Sequence, residues 1–255
     1  MAKVSICIEM LFAEVDLYER PAKAAKLGFS AIEFWGVGDK DVARMKGACD
    51  RAGVRVASFL GPAGVVMVQE NPASKVVGAM KEAAAIARKL DTQVIIVTVG
   101  NRVQGVAAQK QADSIVNNLK ALAPVAEDEG IKLAVESLNT FVDHVGYFLD
   151  HTADGRAIVD RVNSPAVGLL YDVYHMQIME GNLIETIRKH VGVINHVHIG
   201  DVPGRMEPGT GEINYANVLK ALDEAGYKGY CGFEFRPSDN SDAALRRARK
   251  ACGLR

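Results

Sequence analysis

The 255-residue chain has no Cys-x-x-Cys pair, no apolar run of membrane-spanning length and no excess of either charge. Each absence removes a class of function. The four cysteines, Cys7, Cys49, Cys231 and Cys252, are scattered along the sequence. Without paired spacing they read as reduced, buried small residues of a cytoplasmic protein. Cys7 and Cys231 fall in apolar strand-like runs, where core packing is the expected role. A membrane helix needs roughly eighteen or more apolar residues in a row, and no segment approaches that. The first ten residues lack the unbroken apolar stretch and small-residue cleavage site of a secretory signal. A formal net charge of -1 gives no general attraction to nucleic acid or anionic membrane. The segment from Glu9 to Val15, after the first apolar run, is nothing like a glycine-rich phosphate loop, which argues against a dinucleotide site.

What the chain does have is alternation. Short β-branched runs recur at 3–8, 31–35, 55–60, 93–99, 132–137, 166–172, 194–199 and 230–235. Amphipathic segments lie between and after them, at 17–28, 39–52, 73–90, 107–128, 154–163, 182–191, 215–225 and 241–251. The run from Gln93 to Val99 is apolar on both faces, as a strand covered by helices should be. Gly28, Gly53, Gly130 and Gly226 follow helical patterns, where a chain leaving a helix turns through positive φ. Asn214 and Ser241 are the expected N-caps of the last two helices. Alternating strands and helices force a parallel sheet. Eight such units without a composition shift predict an α/β fold with one domain over 1–255, a single (β/α)8 TIM barrel.

The last four strands each end in a polar residue. Glu136 closes the fifth, Asp172 the sixth, His198 the seventh and Glu234 the eighth. Each is roughly one β/α unit from the next, so the four recur at the C-terminal ends of successive strands, where barrel enzymes keep their chemistry. The strand period of two supports this placement. With Glu136 inward, Ala134 is inward and Leu133 and Val135 face the helices; Gly232 lies inward below Glu234, and Leu170 and Gly168 below Asp172. Three carboxylates and an imidazole crowded together raise one another's cost of ionisation, which a divalent cation relieves. A donor set dominated by oxygen favours manganese, magnesium or cobalt over zinc.

Around this centre, His175 is expected over the mouth, where it would hold a substrate oxygen or orient a ligand. Arg205 sits in a long loop rich in Gly and Pro, as substrate loops often are. Arg236 is two residues past Glu234 and is expected at the mouth as a carboxylate clamp or as a counter-ion of the acidic cluster. His196 shares a face with His198 one layer deeper and reads as a hydrogen-bonded core histidine. Trp35 is expected either in the pocket wall or buried under a loop.

These residues carry a resemblance. Val135-Glu-Ser-Leu-Asn139, Asp172-Val-Tyr-His175, His196-Val-His198 and Glu234 resemble the xylose isomerase-like barrel superfamily of sugar isomerases and epimerases. Within it the chain is most similar to the hydroxypyruvate isomerase family, through Met10 to Val15 with Glu19-Arg20, His175 to Gln177 with Gly181 to Leu183, Gly204 to Pro208 with Gly211 to Tyr215, and Glu234 to Pro237. The glycine- and tryptophan-bearing stretch with an Arg that this family carries after strand three is replaced here by Gly61 to Glu70.

The resemblance implies a metal-dependent isomerisation of a small hydroxy-carbonyl compound through a cis-enediolate, with Glu136 and Glu234 moving the proton. It implies Glu136, Asp172, His198 and Glu234 as ligands of one divalent metal, and His175, Arg205 and Arg236 as substrate-binding groups. A ketose 3-epimerase, a sugar dehydratase and a non-catalytic sugar-binding barrel are the rival readings. The expected partner is a small molecule rather than nucleic acid or membrane, with a homo-oligomer compatible with exposed barrel ends.

Overall fold

A computed structural model describes residues 3–254. Eight parallel strands close into a barrel in chain order. They are β1 (Lys3–Cys7), β2 (Ala31–Phe34), β3 (Arg55–Leu60), β4 (Val94–Val97), β5 (Lys132–Glu136), β6 (Val167–Asp172), β7 (Ile194–Ile199) and β8 (Tyr230–Phe233). β1 pairs with both β2 and β8, which leaves no edge. The helices outside are α1 (Arg20–Lys26), α2 (Val42–Ala52), α3 (Ala73–Leu90), α4 (Ala108–Asp128), α5 (Thr152–Val162), α6 (Val173–Met179), α7 (Leu183–His190), α8 (Tyr215–Glu224) and α9 (Ser241–Ala251). None of the described helices is long and apolar enough to cross a membrane.

The expected strands all form. One helix, α6, has no counterpart in the sequence pattern. Its first four residues, Val173, Tyr174, His175 and Met176, are all buried, so no polar face marks it as amphipathic. It starts directly from β6, because the Asp172 carboxylate accepts from the His175 amide at 3.1 Å and caps it. A second difference concerns α9. Its N-cap is Asn240, whose side chain accepts from the Ala243 amide at 2.9 Å. The neighbouring Ser241 instead accepts from the Phe12 amide at 2.7 Å and ties the first βα loop to α9. Asn214 caps α8 as its sequence position suggests.

The apolar residues divide as the strand period requires. Leu133, Val135, Phe233 and their neighbours join a continuous shell between sheet and helices. Ile96, Ala134 and Leu170 form a separate small cluster inside the barrel. The other half of the interior is polar and buried: Ser5, Glu33, Ser58 and His196. A glycine makes that layer possible. Gly232 faces Glu33 so closely that a Cβ there would overlap the carboxylate. The four cysteines are free and buried; burial pushes the Cys49 thiol up to about 11.

Candidate active site

Glu136, Asp172, His198 and Glu234 meet at the C-terminal mouth, with one possible ligand atom from each lying within 4.8 Å of the others. All four are buried. His198 Nδ1 is 3.0 Å from Glu234 Oε2, 3.4 Å from Glu136 Oε1 and 3.9 Å from Asp172 Oδ2. Neither ring nitrogen makes a well-directed hydrogen bond among the described residues. An unpartnered imidazole nitrogen facing three buried carboxylates suits a cation, and this cluster is able to coordinate one divalent ion.

The electrostatics agree with that chemistry. Burial raises the Asp172 carboxyl, against the lowering effect of Arg205 and His198. For Glu234 burial also raises, but His198 and Arg205 outweigh it and hold this carboxyl well below the usual range. Burial pushes His198 down, and the Glu234 and Glu33 charges overturn that, leaving the imidazole well above its ordinary value.

Beneath the mouth lies a residue that sequence reasoning passed over. Glu33, inward on β2, accepts from Ser5 Oγ at 2.8 Å and Ser58 Oγ at 3.3 Å and pairs with His196 Nε2 at 2.9 Å. Its other oxygen is 3.1 Å from His198 Nε2, at ion-pair distance though off the hydrogen-bonding line. His198 therefore turns Nδ1 to the carboxylate cluster and Nε2 to Glu33. With a cation on Nδ1, the remaining His198 proton would sit on Nε2 and face this carboxylate. His196 is a hydrogen-bonded interior histidine, as expected. The signal for Glu33 was present: a lone acid at an inward position of an otherwise apolar strand.

His175 is fully buried in the first turn of α6. Its Nδ1 accepts from the Asn139 amide at 3.2 Å and lies 2.7 Å from Asn139 Nδ2. Asn139 is itself fixed, since its Oδ1 accepts from the Val142 and Asp143 amides. With two donors on Nδ1, the proton sits on Nε2, 3.5 Å from Asp172 Oδ2. Burial and then the Arg205 charge lower His175 to about 3, so it is a neutral donor. Tyr147 pins the end of β5, donating to the Glu136 carbonyl at 3.2 Å and accepting from the Val99 amide at 2.6 Å.

Arg205 reaches into the cluster, with Nη2 at 2.6 Å from Glu234 Oε2 and 3.3 Å from Asp172 Oδ2. Its backbone adopts φ 56°, an unusual conformation for a residue with a side chain. The loop that enforces this is organised by Asp201, another residue absent from the sequence reading. The fully buried Asp201 carboxylate accepts from the amides of Val202, Gly209, Gly211 and Ile213 at 2.8–3.1 Å. Replacing Asp201 by Ala leaves four loop amides without their acceptor; the buried Ile213 amide alone costs roughly 1–3 kcal/mol when stranded. Asp201→Ala should therefore lower the urea midpoint and raise KM through a displaced Arg205. An unchanged midpoint and KM would contradict this account of the loop.

Arg236 is exposed past β8, and its amide donates to the Arg205 carbonyl at 2.7 Å. Its side chain joins no ion pair among the described residues. Trp35 stands in the wall of the mouth, 45% exposed, and is not buried under a loop. Its indole Nε1 donates to Glu234 Oε1 at 2.7 Å.

The chain matches the family described as xylose isomerase-like TIM barrel over residues 21–252. It is 34% identical over 253 residues to the hydroxypyruvate isomerase of Escherichia coli strain K12, covering 96% of this chain and 98% of that protein. It is 31% identical over 257 residues to the 2-oxo-tetronate isomerase of Cupriavidus necator, covering 96% of each. A solved structure described as an AP endonuclease, family 2, from Brucella melitensis superposes with a TM-score of 0.90 at 29% identity, covering 96% of this chain and 97% of that one. With the closed barrel and its buried acidic centre, these likenesses span almost the whole sequence: the chain belongs to the xylose isomerase-like TIM barrel family and is a relative of the hydroxypyruvate isomerases.

Proposed function

We propose that this protein isomerises a small 2-oxo acid bearing a hydroxyl on the neighbouring carbon, moving one carbon-bound proton through a cis-enediolate. Hydroxypyruvate, giving tartronate semialdehyde, and a 2-oxo-tetronate are the model substrates, in line with the activities named for two relatives. The observation that carries the reading is the meeting of Glu136 and Glu234, from strands three places apart in the ring, in one buried space completed by Asp172 and His198.

In this reading Glu136, Asp172, His198 and Glu234 hold one divalent cation, with manganese, magnesium or cobalt preferred over zinc for the oxygen-rich set. Such an ion, when bound, supplies Lewis acidity that polarises a carbonyl and its neighbouring hydroxyl and acidifies the C–H between them. The remaining work belongs to side chains. A glutamate takes the proton from the hydroxyl-bearing carbon and returns it to the former carbonyl carbon. The neutral His175 offers its Nε2–H to a substrate oxygen without bringing a second charge. Arg205 stabilises negative charge developing on the substrate oxygens. Arg236, at the rim, meets the terminal carboxylate as a planar bidentate donor. The second reading, a ketose 3-epimerase, is favoured by the presence of two glutamates, because it needs a carboxylate on each face of one carbon.

The test is proton NMR in deuterated water with metal-loaded protein, hydroxypyruvate, a 2-oxo-tetronate and short ketoses. Metal-dependent deuterium entry with aldehyde formation is expected. A 3-epimer as the main product would install the epimerase, and no exchange on any compound with metal bound would refute the enzyme reading. The same preparation should melt higher with the ion. Binding at one hundred times Kd adds about 2.7 kcal/mol, or roughly 5–10 °C for a domain of this size. A melting temperature indifferent to manganese, magnesium, cobalt and a chelator would remove the cation from the account.

A further inference from the structure

We infer that Tyr174 and Asp143 are positioning residues for Arg205: the Tyr174 ring seats the guanidinium, and Asp143, in the loop after β5, tethers that ring. The inference rests on the isomerase reading above and adds to it the groups that hold Arg205 and His175 in place.

The Arg205 guanidinium is not fixed by its ion pairs alone. Both of them run through Nη2, to Glu234 and to Asp172. Nε is buried and has no acceptor among the described residues. One anchored nitrogen leaves the plane of the group free to turn. Tyr174 supplies the missing restraint, because Arg205 Cζ lies over its ring, 5.2 Å from the centroid. Gly200 lets the two side chains meet: a Cβ there would stand 3.2 Å from Arg205 Cγ and 3.6 Å from Tyr174 Cβ.

The ring is tethered in turn. Tyr174 Oη donates to Asp143 Oδ2 at 2.7 Å. The same oxygen accepts from Asn139 Nδ2 at 2.8 Å, and Asn139 is the residue that fixes His175 Nδ1. Burial raises the Asp143 carboxyl, but the Asn139 and Tyr174 hydrogen bonds and the Arg205 charge outweigh it and hold this group below the ordinary range. One carboxylate outside the cation cluster therefore connects with Arg205 through Tyr174 and with His175 through Asn139. Core packing does not account for this arrangement. Asp143 is exposed, and Phe141, Val142 and Val145 beside it stand largely in solvent. Polar contacts hold this stretch, and such contacts fix direction where burial does not.

The test compares Tyr174→Phe, which keeps the ring and removes the tether, with Asp143→Ala and Asp143→Asn in the magnesium-loaded full-length protein. Asn retains an oxygen able to accept both bonds, and Ala does not. With hydroxypyruvate, Tyr174→Phe should lower kcat/KM by about 3–10-fold, the size of one intramolecular hydrogen bond. Asp143→Ala should lower it further, because Asn139 is released as well. Adding Tyr174→Phe to Asp143→Ala should change nothing more, since both remove one bond. Asp143→Asn should stay near wild type, and the urea midpoint should hold in the Asp143 variants, as for other exposed substitutions. A second readout needs no turnover. In protein labelled with nitrogen-15, the Arg205 Nε–H signal is the one missing from Arg205→Lys. Ring current from Tyr174 should set it apart from the other arginines in wild type and in Asp143→Asn. It should move toward them in Tyr174→Phe and in Asp143→Ala. A signal unmoved in both variants overturns the proposal, as does an unchanged kcat/KM in Asp143→Ala where wild type turns over. So does an Asp143→Asn as impaired as Asp143→Ala, which would make the charge and not the tether the cause. If no compound turns over, the isomerase reading falls by itself and the Arg205 signal alone decides: moved in both variants it keeps the tether, unmoved it removes it.

Discussion

Glu136→Gln, at saturating metal, should lower deuterium exchange and isomerisation by about 10²–10⁴-fold, the usual contribution of a positioned general base. Gln keeps the shape and one oxygen for coordination but cannot accept a proton at working pH. The Tyr147 contact is to the Glu136 backbone carbonyl, so this anchor of β5 survives the change. The loss should therefore fall on kcat with KM little altered, the signature of a group acting in the transition state. Single-turnover exchange measured beside a metal-binding isotherm separates lost chemistry from lost metal. Wild-type exchange in Glu136→Gln would remove Glu136 from proton transfer, whatever happens at Glu234.

Removing Glu33 should have the second large effect, although this residue lies below the pocket and touches no substrate. Glu33→Gln is expected to weaken divalent-ion binding by about 10–100-fold, as loss of the acceptor behind a ligating histidine usually does. Nothing would then hold the His198 proton on Nε2, and Nδ1 would be free to ligate only part of the time. Glu33→Leu should go further. It leaves His196, Ser5 and Ser58 without their buried acceptor, and breaking a buried pair in this way costs roughly 3–5 kcal/mol. Gly232 has no side chain to fill the altered space. Calorimetric titration with manganese and urea unfolding together check both variants. An unchanged Kd in Glu33→Gln would show that His198 is oriented by other groups.

The sequence by itself determined the eight strand–helix units, and with them the closed barrel, because hydrophobic period and strand length are local properties. It also determined which polar residues reach the mouth. Once a strand is fixed, alternation sends Glu136, Asp172, His198 and Glu234 inward, and equal spacing brings them to the same height. What the sequence left undetermined was how these residues are held. The Trp35–Glu234 bond joins residues 199 positions apart, and the His196–Glu33 bond joins residues 163 apart. Such contacts exist only because β1 closes on β8 and brings the first strands against the last. Helix α6 escaped notice because burial at its start erased the pattern that marks a surface helix, and with it went the placement of His175 against Asn139. The left-handed turn at Arg205 depends on Asp201 collecting amides from across its loop. Local chemistry chose the polar side chains that gather at the mouth, and ring closure alone supplied the partners that surround them and shift their charges.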